Sequence, residues 1–162
     1  MSLNLRPTTE NDLPFVLKIE QAAANEGFVS LQTTRQHRDY LADSDIRHLI
    51  IEAEGQAVGY AILTGLNDEN ENIEFRRIVI AEKGKGYGRS ALRFIKKQAF
   101  EDLGAHRLWL DVKDFNERAR RLYESENFTT EGVWREYLKT ETGRESLVFM
   151  SILRGEYLQV DL

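Results

Sequence analysis

Apolar residues recur along this chain with two different periods, and the switches between them lay out its elements. Leu3 to Arg6 alternates apolar and polar positions in twos, as a strand does. Pro7 follows, and Thr9 with Asp12 three residues on marks a helix start. Leu13, Val16, Leu17 and Glu20 to Ala24 then repeat at helical spacing up to Gly27, and Thr33 to Ala42 predicts a second short helix. Between them, Asn25 to Gln32 has no period and leaves Phe28 without a helical or strand partner.

His48 to Ala53 and Ala57 to Leu63 are Ile- and Val-rich runs about the turn Glu54-Gly55, a hairpin signal. A polar loop, Asn67 to Asn72, leads to a strand over Ile73 to Ala81. Glycines crowd Gly84 to Gly88, after which Leu92, Ile95, Ala99 and Leu103 mark one face of a helix closed by Gly104. Leu108 to Val112 reads as a buried strand. Asp114 with Glu117 forms a capping pair for a helix carrying Ala119, Leu122 and Tyr123. Phe128 to Leu138 and Leu147 to Leu153 are two late strands joined through Thr140 to Gly143. The order is strand, two helices, three strands, helix, strand, helix, two strands. Strands outnumber crossover helices, so the expected class is α/β in the α+β sense, with a mixed sheet.

Composition narrows the chemistry. With 162 residues, 41% hydrophobic and 30% charged, the chain suits one domain with its own core. It has no Cys, which removes disulfides, thiolate metal sites and a cysteine nucleophile. His37, His48 and His106 show no paired ligand spacing, so no metal is expected, and His106 receives no role. A formal charge of −5 argues against nucleic acid as a partner. Met1 to Pro7 lacks a signal peptide's features and no run nears ~20 apolar residues, so no membrane is expected and a cytoplasmic location is the default.

The most informative stretch is Ile78 to Arg89, a buried strand running through three alternating glycines directly into a helix. Such a turn aims backbone N–H groups and a positive helix end at one point, which suits a phosphate. A dinucleotide fingerprint would need glycine where Arg89 stands. A Walker loop would need Ser or Thr after Gly-Lys, which neither Gly84-Lys85 nor Gly86-Tyr87 satisfies. Glycines alone are equally compatible with a plain tight turn.

Lys83, Gly86 and Gly88 resemble the cofactor motif of the GNAT acetyltransferase superfamily, with Lys in place of the usual first Arg or Gln. A second motif of that family is matched downstream by Asn116, Ala119, Leu122, Tyr123 and Phe128, with Asn127 where glycine is usual. Asn tolerates the left-handed conformation, so the helix can still end there. The resemblance implies the GNAT fold: a mostly antiparallel seven-stranded sheet with about four helices. It also implies acetyl-CoA as cosubstrate, with its pyrophosphate on the turn formed by Lys83, Gly84, Lys85, Gly86, Tyr87, Gly88 and Arg89. Ile78, Val79 and Ile80 would hold the pantetheine arm and the acetyl carbonyl, and Asn116, Arg120 and Tyr123 would complete the cofactor side.

Acyl transfer to an amine needs a neutral amine, an aligned thioester, donors for the oxyanion and a proton for the leaving thiolate. Asn116 and Tyr123 lie seven residues apart on one helical face, with Arg120 beside them and Ala119 and Leu122 toward the core. The resemblance makes Tyr123 the acid. Glu74, placed by period-two alternation on the same side of its strand as Arg76 and Ile78, resembles the strand glutamate that many relatives use to deprotonate the amine through water, and that resemblance makes it the candidate base. A salt bridge from Glu74 to Arg76 is an equal alternative, and Asp111 is the reserve base.

The order Glu74-Phe75, glycine turn, Asn116, Tyr123, then Thr130-Glu131-Gly132 and a late hairpin resembles the branch holding spermidine acetyltransferases and the enzymes that acetylate ribosomal-protein N-termini, which implies a small-molecule, polyamine or peptide amine as substrate. Glu26, Phe28 and Trp134 are its candidate contacts. A homodimer is expected from the resemblance and from the apolar run Leu147 to Leu153. The alternative is a catalytically idle CoA-binding module.

Overall fold

The computed structural model of the chain describes residues 2–160. Its strands are β1 (Leu3–Pro7), β2 (Ile46–Ala53), β3 (Gln56–Thr64), β4 (Asn72–Ile80), β5 (Arg107–Lys113), β6 (Thr129–Thr140) and β7 (Gly143–Leu153). They form one sheet in the order β1-β2-β3-β4-β5-β7-β6. Every neighbouring pair is antiparallel except β4 and β5. The helices are α1 (Leu13–Asn25), α2 (Thr34–Ala42), α3 (Tyr87–Lys97), α4 (Glu117–Ser125) and α5 (Arg154–Val160). The mixed, mostly antiparallel seven-stranded architecture matches the expected one, with α5 as an addition. Seven residues containing Gly155 are too short to show a helical period, but Tyr157 secures α5 by stacking on Phe100 at 5.0 Å.

The sheet is covered on both faces. One core holds Val16 and Ile19 of α1 against Ile50, Tyr60, Ile62 and Val79. The other and larger core packs α3 and α4 against the opposite face, with Leu92, Ile95 and Tyr123 meeting Phe75, Leu108, Leu110 and Met150. Alternation along each strand sends successive residues to the two cores.

Two local features differ from the sequence reading. Asn116, not Asp114, caps α4, and its side-chain oxygen accepts from the Ala119 N–H at 3.3 Å. Residues 113–116 are spent on a turn, closed by the Asn116 N–H donating to the Lys113 carbonyl, so the helix starts later. The second difference is in β4. Leu63 pairs with Phe75 and Ile62 with Arg77, which leaves Arg76 as an extra residue in a β-bulge. Alternation therefore flips there. Glu74 shares its face with Thr64, toward α1 and α2, whereas Ile78 packs into the opposite core. Glu74 and Ile78 are on different faces, contrary to simple period-two counting.

Candidate active site

The parallel ladder between β4 and β5 is short. It pairs Asn72 with Arg107, Ile73 with Leu108 and Glu74 with Trp109, and then stops. Beyond that point β4 stays with β3 and β5 with β7, so a gap opens in the middle of the sheet. Ala81 donates its N–H to the Val58 carbonyl, and donors alternate along an antiparallel strand. The N–H groups of Ile78 and Ile80 consequently point into the gap.

At the end of β4 the chain turns into α3. Gly86 is the N-cap, at φ 78, and no side chain caps the helix or places an acid in its first turn. The leading N–H groups of α3 are thus left for a ligand, and the positive helix end favours an anion. A cavity of about 840 Å³ runs from this turn to α4, lined by Ile78, Val79, Ile80, Lys83, Gly84, Gly86, Tyr87, Gly88, Arg89, Asn116 and Tyr123. These unfilled donors and this volume fit a pantetheine arm and its phosphates.

A second cavity, of about 520 Å³, lies on the α1 and α2 side and contains Glu74, Arg76, Arg77 and Asp111. Phe28, Phe75, Ile78, Asn116 and Tyr123 line both cavities, so the two meet through the gap. Tyr123 stands at the junction. It is a core residue, 7% exposed, rather than one projecting from the polar face of its helix. Phe75 meets its ring edge to face at 6.5 Å and Phe128 packs at 5.7 Å. The helix end provides the second contact. Asn127 adopts φ 76 as expected, and the Phe128 N–H returns to the Tyr123 carbonyl at 2.9 Å. Burial, and then the negative charge of Asp111, pushes the Tyr123 phenol well above its ordinary pKa, so it stays protonated at neutral pH.

Asp111 is solvent-exposed at the cavity wall, yet its pKa is raised as well, first by desolvation from the groups around it and then by the nearby Glu74 carboxylate, with Arg76 acting the other way. Glu74 accepts from the Thr64 hydroxyl at 3.0 Å rather than forming a salt bridge to Arg76. Both carboxylates face the second cavity.

Other candidates fall elsewhere. Lys85 pairs with Glu82, and Arg120 turns back to the Asp114 carbonyl at 3.1 Å, so neither lines the first cavity. Arg118 and Arg121 do line it, one helical turn apart on α4, a spacing visible in the sequence but indistinguishable there from a solvated face. Lys83 reaches across to Glu26 at 2.7 Å and stands 4.4 Å over the Phe28 ring, while Phe28 stacks on Phe115 at 6.1 Å. The aperiodic segment 25–32 is thereby drawn over the site, yet Glu26 itself lines neither cavity. Trp134 packs on Phe149 at 4.3 Å on the outer hairpin and also lines neither. His106 lies outside both as well. Among the described residues no group of three or more His, Cys, Asp or Glu could hold a metal, and no helix is long and apolar enough to cross a membrane.

The model of the acetyltransferase (GNAT) family matches residues 13–128. The spermidine N(1)-acetyltransferase of Escherichia coli (strain K12) is 26% identical over 167 residues, spanning 97% of this chain and 89% of that protein. An uncharacterized N-acetyltransferase of Mycobacterium tuberculosis is 32% identical over 95 residues, 58% of this chain and 60% of its own. The solved structure of spermidine N-acetyltransferase from Vibrio cholerae in complex with CoA and spermine has a TM-score of 0.86 at 25% identity, covering 96% of this chain and 98% of that one.

Proposed function

The chain belongs to the acetyltransferase (GNAT) family, and from that premise we propose which of its residues carry out the transfer and what kind of amine accepts the acetyl group. The enzyme moves acetyl from acetyl-CoA to an amine; an idle CoA-binding module is not favoured. Acetyl-CoA would enter the larger cavity, its pyrophosphate on the free N–H groups at the start of α3 and its pantetheine arm along β4. Arg118 and Arg121 add positive charge on the facing helix. The Ile78 and Ile80 N–H groups are the donors for the acetyl carbonyl as it gains negative charge, and losing one such donor typically costs about 3 kcal/mol of barrier lowering.

The amine would approach from the second cavity. Glu74 and Asp111, coupled by their like charges, receive its proton directly or through water. The nitrogen attacks the thioester carbon, the C–S bond breaks, and the Tyr123 hydroxyl protonates the departing thiolate. The observation that carries this reading is the parting of β4 and β5, which brings Tyr123 from one face of the sheet and the two carboxylates from the other to a single opening.

A polyamine is the acceptor class we assign first. The spermidine acetyltransferase relatives support it, as do two carboxylates beside the gap. Phe28 remains a candidate contact for the acceptor; Glu26 and Trp134 would act only at the rim. Release of free thiol from acetyl-CoA with spermidine, spermine, small monoamines and peptide N-termini tests the reading. No transfer to any of them would overturn it. The run Leu147 to Leu153, expected to need a partner, is already covered, since β7 lies between β5 and β6 with Leu147, Val148, Met150 and Ile152 buried. Self-association as a homodimer is still proposed, supported by the exposed Val133, Trp134 and Tyr137 of β6, and a concentration-independent monomer mass would oppose it. A cytoplasmic location is part of the same proposal and is testable by fractionation.

A further inference from the structure

Glu20 is the most enclosed carboxylate among the described residues and has no part in the transfer just described. Its residue is 0% exposed, and it lies in the middle of α1. Oε1 accepts from the Tyr60 hydroxyl at 2.8 Å, from the Arg77 guanidinium at 2.8 Å and from the His37 ring at 3.0 Å. Oε2 accepts from the backbone N–H of Gln32 at 3.0 Å. Burial alone would raise its pKa, but these hydrogen bonds outweigh it and hold the group ionised.

The donors around Glu20 tie two histidines to it. An ionised carboxylate only accepts, so His37 donates to it from Nε2. His37 Nδ1 and His48 Nε2 lie 3.1 Å apart and share one hydrogen bond, and His48 Nδ1 is 2.8 Å from the Thr8 hydroxyl. The His48 pKa is lowered to about 4, first by burial and then by His37. These contacts converge on one anion, and a buried anion of this kind is retained only while its donors stay in place.

What those donors hold is the wall of the second cavity. Arg77, turned toward α1 by the bulge at Arg76, donates to Glu20 and also to the Ser30 carbonyl at 2.9 Å and the Ser30 hydroxyl at 3.3 Å. Gln32 is fixed through its N–H, and its side chain accepts from the Tyr40 hydroxyl at 3.2 Å. Ser30, Gln32, Tyr40 and Arg77 all line that cavity, and Glu20 does not.

We propose that Glu20 is a positioning residue for the acceptor: through Arg77 and the Gln32 N–H it fixes the segment 28–32 against β4 and so sets the amine site. The inference rests on the second cavity being the acceptor site. Phe28 and Val29 of that segment also border the acetyl-CoA cavity, but the glycine turn and helix end that would hold the phosphates lie outside this network, so amine binding should respond far more than acetyl-CoA binding.

The test is Glu20→Gln, which keeps size and removes the charge that holds Arg77. The KM for spermidine, or for the best amine of the panel, should rise at least tenfold. Acetyl-CoA affinity should stay within about twofold, and backbone amides of residues 28–32 should exchange hydrogen faster. Arg77→Lys, which cannot hold Glu20 and the Ser30 carbonyl together, should give an intermediate KM and serves as the test where Glu20→Gln does not fold. Tyr60→Phe removes a donor that does not line the cavity, so it should lower Tm while leaving KM within about twofold. An unchanged KM with unchanged exchange would overturn the proposal. Faster exchange with an unchanged KM would overturn it by showing that the acceptor does not use this cavity. Equal loss of acetyl-CoA and amine affinity would show a purely structural role.

Discussion

Phe75 on β4 and Tyr123 on α4 meet edge to face, their ring centroids 6.5 Å apart and their planes at 87°, where β4 leaves β5. The contact, with Phe128 behind it, fixes the phenol by its ring, so its hydroxyl is not needed for packing. Tyr123→Phe should fold with an unchanged Tm. If the hydroxyl protonates the leaving thiolate, kcat and kcat/KM should both fall by ~100-fold or more while acetyl-CoA binding holds. Wild-type turnover, with chemistry shown to be rate-limiting, would assign the proton to another group or to water.

Two of the three glycines of the turn, Gly86 and Gly88, separate backbone strain from contact. Gly86 sits at φ 78, and a methyl group added to it would meet nothing within 4 Å, so a side chain there is opposed by backbone conformation and not by crowding. Gly86→Val should abolish the rise in Tm that acetyl-CoA produces, because a β-branched residue resists the left-handed region. At Gly88 an added methyl would touch Leu122 at an ordinary 3.8 Å, so Gly88→Ala should bind acetyl-CoA within a few-fold of wild type. Calorimetric affinities for the two variants make the comparison.

Asp111 bears a cost for its position. Its folded-state pKa lies above the unfolded value near ~3.9, so ionisation is harder in the native state and stability declines as pH rises through that interval. Asp111→Asn should therefore raise Tm at pH 7, by a small amount because solvent screens this exposed carboxylate. The gain should shrink as pH falls through the unfolded value near ~3.9 and vanish about two units below it, where both states of the wild type are protonated, and thermal melts across pH would reveal any opposite trend.

Glu126 behaves in the opposite sense. Burial would raise its pKa, but Arg93, Arg89 and Lys96 hold it down to about 2. Lys96 also donates to the Glu126 carbonyl at 2.9 Å, tying α3 to the end of α4. A depressed carboxylate contributes stability above its unfolded pKa and loses it as pH falls toward 2. Glu126→Gln should cost about 2–3 kcal/mol at pH 7, since it leaves buried Lys96 short of its partner, and the difference should shrink between pH 4.5 and 2. Denaturant titrations at the two pH extremes supply the measurement.

The succession of strands and helices was legible from the chain alone because its signals are local. The Ile- and Val-rich runs about Glu54-Gly55, the helical spacing of Leu92, Ile95 and Ala99, and the glycines of the turn each act over a few residues. The left-handed Asn127 is the same kind of fact: a backbone conformation demanded within one helix end and met by a permissive side chain. Pairing decided the rest. The bulge at Arg76 appears only when β4 is laid against β3, and it brings Glu74 and Arg77, which simple alternation would put on opposite faces, to the same one. The gap that joins the two cavities exists because the β4–β5 ladder ends at Glu74 and Trp109, residues 35 positions apart. Glu20 meets Arg77 across 57 residues, and no period in α1 distinguishes it from a solvated glutamate. Local propensity reaches only as far as a turn or two of backbone; register, bulges and buried charge depend on segments that become neighbours only when the sheet closes.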